Sequence, residues 1–375
     1  MTASEADELR RAVRDFLKSA SSSARVRELM ETDDGVDRAV WAQMATELGL
    51  HGIVIPEQYG GAGAGMAEQA VVFEEMGSAL LCAPFFSTIA LAAQAILCSG
   101  DPAAMADYLP TFADGSATAT LILNGRLEAW DPRAVTLTAR TEATGYRISG
   151  DADLVLDGRT ADVLLAAART TAGISLFAVA ADADGLTREP LVTLDRTRKV
   201  ARIRFDDVAA RLIGIDGEAA HGLATTSDLA IIALAAEQVG AAQRCLDMAV
   251  DYAKERIQFG RAIGSFQAIK HRCADMLVLV EGARSAAVHA ADCAGGDGLP
   301  TAAAVAKLTC SEAFLQVALD SMRIHGGIGF TWEHDAHLYV RRAKASELIL
   351  GDPDHHIQRL AALVTSSSHH PEGRS

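Results

Sequence analysis

The hydrophobic periodicity of this chain changes twice, and those changes limit its fold more than any other feature. From Glu5 to about Phe112, apolar residues recur at helical spacing, as in Leu9, Val13 and Phe16 and again in Trp41, Met44, Ala45 and Leu48. Between Ala117 and Ile213, alternation takes over in Thr118 to Leu123, Ala134 to Thr138 and Val200 to Phe205, with Asp, Gly and Pro turns between these short strands. After Ala219 long helices return, and Leu229, Ile232, Ala233, Ala236, Val239, Gly240 and Gln243 mark one face of an alanine-rich helix whose small residues permit close packing in a bundle. Breaks fall at Asp33-Asp34-Gly35 and Gly60-Gly61-Ala62-Gly63, then near Gly260 to Ser265, Gly295 to Pro300 and Gly326 to Gly329. The last three divide the second helical half into about four helices. Segregated helices and strands of this kind predict an α+β protein. The expected divisions are a helical domain over 1–116, a small β-domain over 117–218, a helical bundle over 219–365 and a frayed polar tail over 366–375.

Size and charge narrow the function. A chain of 375 residues exceeds a usual single core, so two or three packed units are expected. Apolar residues at 50% and charged residues at 22% exclude a disordered or fibrous body. The net charge of −15, without any block of Lys or Arg, argues against a nucleic-acid partner. Continuous apolar runs such as Ile231 to Ala236 fall far short of the ~20 residues of a membrane span. The acidic start Met1 to Glu5 has no basic-then-apolar signal pattern, and the chain reads as cytoplasmic. The cysteines at 82, 98, 245, 273, 293 and 310 lack ligand spacing and read as free thiols in apolar surroundings. No metal site is expected: Glu333 to His337, His355-His356 and His369-His370 lack further ligands at a recognisable distance.

One segment carries more specific chemistry. Arg256 to Asp275 reads as a helix ending near Phe259, a turn permitted by Gly260 and Gly264, and a second helix capped by Ser265. A helix start offers free N–H groups to an anion such as a pyrophosphate, with Arg256 close by, although a plain helical hairpin has the same pattern. The whole segment resembles the flavin-reaching segment of the acyl-CoA dehydrogenases. Leu48 to Gly61 resembles the early loop of that family, and Leu194-Asp195-Arg196-Thr197-Arg198 with the strand that follows resembles its middle domain. The resemblance implies the family's three-part architecture, FAD as cofactor, and removal of hydrogen from the α and β carbons of an acyl-CoA thioester. A carboxylate takes the α proton and the flavin accepts the β hydride.

Carried over residue by residue, the resemblance is one-sided. Arg256, Phe259 and Gln267 match the family residues that reach a flavin bound mainly by a neighbouring subunit. A second reaching segment matches Arg323 to Phe330, with Arg323 where Gln is usual and Gly326-Gly327 allowing backbone N–H groups to approach the cofactor. The two phrases that flank the flavin ring in the family are missing: Leu121 to Gly125 stands in place of one and Asp153 to Asp157 in place of the other. The base is missing too. Leu350 occupies the family's usual carboxylate position, and Ala230 occupies the alternative one. Glu237, about two turns beyond Ala230, and Asp352, in a Gly-Asp-Pro turn, are the acids that could substitute.

Three readings follow. In the first, the chain resembles the base-less member of a paired-subunit acyl-CoA dehydrogenase, some of which handle bulky steroid thioesters, and completes the FAD site of a related catalytic partner. In the second, it is a self-sufficient homo-oligomer using Glu237 or Asp352. In the third, it binds CoA esters or supports assembly without redox chemistry. Electron-transferring flavoprotein is the acceptor that the family implies.

Overall fold

The computed structural model describes residues 3–124, 129–143 and 145–367. The N-terminal helices are α1 (Ala3–Ala20), α2 (Ser23–Leu29), α3 (Arg38–Thr46), α4 (Met66–Ser78), α5 (Gln94–Ser99) and α6 (Pro102–Ala113). Polar side chains start several of them. Ser22 caps α2, Asp37 accepts from the amides of Ala39 and Val40 at the head of α3, and Asp101 does the same for α6, which then begins with proline. A wide π-helical stretch, Phe86–Ala93, runs directly into α5 and is wholly buried. Arg10 and Arg14 of α1 both reach the carboxylate of Glu75 and fasten α1 to α4.

The strands are β1 (Ala119–Ile122), β2 (Thr138–Glu142), β3 (Gly145–Leu156), β4 (Val163–Arg169), β5 (Ile174–Ala180), β6 (Leu186–Leu191) and β7 (Val200–Ile213). Pairings run β4-β2-β3-β7-β5 and return from β5 to β4, so the sheet closes on itself, with β1 alongside β4 and β6 alongside β7. The alternation seen in the sequence serves this closed sheet: Ile148, Leu164, Phe177, Ile203 and Phe205 point into a core of its own.

The second helical half holds α7 (Ala219–Glu255), a two-rung hairpin of β8 (Ile257–Gln258) and β9 (Arg261–Ala262), then α8 (Gln267–Asp292), α9 (Leu299–His325), α10 (Ala336–Leu348) and α11 (Pro353–Ser367). The α+β order of helices, sheet and bundle matches the expectation. A further break at Ile349–Asp352 splits the last arm into α10 and α11, which the breaks seen in the sequence did not include. Ser366 and Ser367, expected in the frayed tail, belong to α11, while 368–375, with His369 and His370, lie outside the described residues.

α7 is about 55 Å long and forms the centre of the molecule. It meets α4 at a crossing that only glycine allows: a Cβ on Gly77 would lie 1.9 Å from the carbonyl oxygen of Glu237, and one on Gly240 would lie 1.7 Å from that of Glu74. Two helical segments, Ala219–Glu255 and Leu299–Phe330, are long and apolar enough to cross a membrane, which counting uninterrupted runs had missed. Most of each is buried inside the fold, as core helices of a bundle require. All the cysteines are free; Cys82, Cys245 and Cys310 are buried and Cys98, Cys273 and Cys293 partly so.

Candidate functional site

The two segments expected to reach a flavin leave the same end of the bundle. With α8 running back between them, the C-termini of α7 and α9 lie side by side, and the Tyr252 ring packs 4.6 Å from that of His325. His325 is held by its Nδ1 contact with the Ser321 carbonyl (2.7 Å) and faces His334 at 4.2 Å. Beyond it, Arg27 of α2 donates to the Trp332 carbonyl and to Asp335, clamping the turn that follows α9.

α7 ends at Glu255, four residues before the expected Phe259, because 257–262 form the hairpin. At its tip Phe259 (φ +53°) and Gly260 (φ +75°) take left-handed backbone, and the Phe259 side chain is 91% exposed. The edge of Phe266 lies 6.1 Å from the Phe259 ring, and Arg261 covers the Phe266 ring at 4.1 Å. Arg256 is exposed, with no carboxylate in ion-pair range among the described residues. Ser265 is not the cap of α8. Its hydroxyl donates to the Ala262 carbonyl (2.7 Å) within a 3₁₀ turn, and Phe266 holds the cap position without any side-chain bond. In the first turn of α8 the amides of Ile269 and Lys270 donate to the Phe266 carbonyl (3.1 Å each), which leaves those of exposed Gln267 and Ala268 as the ones a helix start leaves free.

Arg323 lies along α9, its Nη1 2.9 Å from Asp320, which also takes Arg272 of α8 at 2.7 Å. Gly326 has φ +63° and ψ −139°, a conformation left to glycine. Around Gly326 and Gly327 an added Cβ would meet nothing within 4 Å, so this chain itself does not crowd them. Ile328, Phe330 and Trp332 beside them are exposed.

The expected acids have other partners. Glu237 is buried, and Arg342 of α10 donates Nη1 to its Oε1 at 2.6 Å while Arg198 donates to its Oε2. Arg342 also donates Nε to Asp195 (2.8 Å) and Nη2 to the Thr197 hydroxyl (2.6 Å). Both oxygens of Glu237 are thus held by guanidinium groups, the arrangement of an anchor between helices and β-domain, with neither oxygen left without a partner. Asp352 is exposed and accepts from the amide of His355 (2.8 Å), a cap for α11, not a group in a dry pocket. Ala230 is fully buried. Leu350 is buried too, with left-handed backbone (φ +59°), and its carbonyl meets Nε2 of His356 at 2.9 Å.

Several ionisable residues escaped the sequence reading. Arg342 falls on the buried stripe of α10 with Leu338, Tyr339 and Ser346, a signal present in the spacing. Lys307 is fully buried, and its ammonium donates to Ser311 Oγ, the Ser346 carbonyl and the Glu347 carbonyl at 2.9–3.0 Å, capping the end of α10. Burial pushes it down to about 7. The Asp157 carboxyl is enclosed and pushed up to about 6 by burial, against a hydrogen bond from Ser87 Oγ (2.6 Å).

The stretches that stand in place of the family's ring-flanking phrases are mainly apolar where they are described. Leu121 and Leu123, in the first substituted phrase, Leu156 in the second, and Leu350 are all buried in the largest apolar core. A cleft of about 890 Å³ lies between α1, α4, α7 and α8, where Arg10, Arg14 and Arg284 are already paired with Glu74 or Glu75.

Known proteins agree with this layout. The acyl-CoA dehydrogenase N-terminal domain matches residues 3–116 and the acyl-CoA dehydrogenase C-terminal domain matches 227–364. Acyl-CoA dehydrogenase IpdE2 of Mycobacterium tuberculosis is 36% identical over 359 residues, which are 96% of this chain and 97% of that one. A solved Tcur3481-Tcur3483 steroid ACAD variant superposes with a TM-score of 0.87 at 33% identity, covering 97% of this chain and 99% of the other. A chain of the ChsE4-ChsE5 complex of Mycobacterium tuberculosis also gives 0.87, at 29% identity and 99% coverage of each. The chain belongs to the acyl-CoA dehydrogenases, a family of FAD-dependent oxidoreductases.

Proposed function

We propose that this chain is the flavin-completing subunit of a two-chain acyl-CoA dehydrogenase, with 1–116, 117–218 and 219–365 as its domains, acting in the cytoplasm. The observation that carries the reading is an asymmetry. Arg256, Phe259, Gln267 and the Gly326-Gly327 turn stand free at one end of the bundle, while buried leucines replace residues of the family's ring-flanking phrases and its usual base, and the candidate acids Glu237 and Asp352 are tied or exposed.

In the assembled pair, Arg256 sets a cation beside the neighbour's pyrophosphate, and the free amides at the start of α8 add N–H donors. Phe259 covers an apolar face of the dinucleotide, Gln267 supplies an amide, and Arg323 with the backbone of Gly326 and Gly327 closes the far side. FAD supplies the hydride acceptor, and the partner supplies the base. The leucine at 350 accepts no proton, and both carboxylate oxygens of Glu237 already accept from arginines. Likeness to a steroid ACAD supports a bulky acyl-CoA substrate, and electron-transferring flavoprotein is the acceptor that the family resemblance supports.

The test is to purify the chain alone and together with a base-bearing acyl-CoA dehydrogenase chain of the source genome, measuring flavin absorbance and thioester oxidation. The reading expects flavin and turnover only in the pair. Turnover by the lone chain at the rate of the pair would remove it.

A further inference from the structure

The loop after β6, Val192-Thr193-Leu194, points its apolar side chains outward: Val192 is 97% exposed and Leu194 54%. A loose loop could turn such groups inward, but this one is fixed at both ends. Leu191 closes β6 opposite Val200 of β7, and the Thr193 hydroxyl donates to the carbonyl of Asp195 (2.8 Å). Asp195 is itself buried and held by Arg342.

From there the apolar surface continues onto α10. Arg341 donates Nη1 to the Leu194 carbonyl (3.3 Å) and lays its guanidinium 4.9 Å from the centre of the exposed Trp332 ring. Leu348, seven residues along α10 and therefore on the same helical face, is also exposed. The result is a rigid patch of Val192, Leu194, Trp332, Arg341 and Leu348, continuous through Trp332 with the turn that carries Gly326 and Gly327. An arginine stacked on a tryptophan between aliphatic side chains is the composition of an interface centre, and a fixed patch loses little conformational entropy on docking.

We propose that this patch is a second contact surface for the same related acyl-CoA dehydrogenase chain, seating the β-domain and α10 against it while the hairpin reaches its flavin. The proposal rests on the subunit reading above. Continuity with the flavin-reaching turn selects that occupant: any chain whose cofactor meets Gly326 has surface beside Trp332.

The experiment co-expresses the tagged chain with a base-bearing acyl-CoA dehydrogenase chain of the source genome and measures the dissociation constant of the pair, its flavin content and Trp332 emission. Val192→Asp, at a site too exposed to disturb folding, and Arg341→Ala are compared with Phe259→Ala. Expected are an at least tenfold weaker pair for Val192→Asp and Arg341→Ala with unchanged melting of the lone chain, and a blue shift of Trp332 emission on pairing. If the wild type pairs and both patch variants pair equally well, the patch proposal is overturned while the subunit reading stands. Loss of self-association, not of pairing, in the patch variants assigns the surface to a second copy of this chain and overturns the stated partner. Failure of every such chain to pair with the wild type removes the subunit reading and this proposal with it.

Discussion

Glu237 Oε1 and Arg342 Nη1 lie 2.6 Å apart, both buried, and join α7 to α10 at a point where the β-domain also enters through Asp195 and Arg198. Removing one partner of such a pair leaves a buried charge unanswered. Glu237→Gln should therefore lower stability by about 3–5 kcal/mol in denaturant titration. Turnover of the assembled pair, per folded molecule, should stay within a fewfold, whereas loss of a general base would cost about 10²–10⁴.

Arg256 and Phe259 stand clear of the rest of the chain, so their loss should act only through the neighbour. Arg256→Ala is expected to weaken flavin retention in the assembled pair by about ten- to a hundredfold, the effect of a charge-assisted bond of about 1.5–3 kcal/mol. Equilibrium dialysis of FAD from the pair measures this, with the melting temperature of the lone chain as the control that should not move.

His51 is fully buried beside Trp41, at 4.0 Å between ring centres, with neither ring nitrogen hydrogen-bonded, and burial pulls it down to about 4. Its folded value lies below the ordinary 6.5, so its contribution is complete above 6.5 and is lost as pH falls through about 4. That gap corresponds to about 3 kcal/mol. Asp157 has the opposite sign: raised from 3.8 to about 6, it contributes fully below 3.8 and loses that contribution as pH rises through about 6. The two offset each other in the wild type. Unfolding free energies across this range should fall more steeply toward acid in Asp157→Asn, and rise toward acid in His51→Phe.

Gly77 and Gly240 each face the backbone of the opposite helix. An alanine at either site must push α4 from α7, since the obstructing atoms are carbonyls that cannot rotate away. We expect Gly77→Ala and Gly240→Ala each to cost at least about 3 kcal/mol or to abolish soluble expression, unlike Gly282→Ala, where nothing lies within 4 Å of the added Cβ.

Much of this architecture was legible because local pattern and tertiary role agree. Leu229, Ile232, Ala233 and Ala236 mark a helix face in the sequence and are buried in the structure. The ion network was not legible, because its members stand at 195, 198, 237 and 342 and no local spacing connects them. Ser265 misled for a related reason: a serine before a helix reads as a cap, but a 3₁₀ turn at Ile263–Ser265 shifts the helix start beyond it. The left-handed backbone of Leu350 was hidden as well, since leucine rarely adopts it; here His356 and the packing around Gly351 hold it. At the reaching end the free side chains were readable as motifs, but that both motifs open on one side follows only from the contact of Tyr252 with His325.

That shared exit has an arithmetic consequence. On the proposed subunit reading, a polypeptide that extends its two arms from one end and lacks the phrases that flank a flavin ring serves one dinucleotide and hosts none. Its complex should hold half as many flavins as chains, a ratio fixed by the side-by-side termini of two helices.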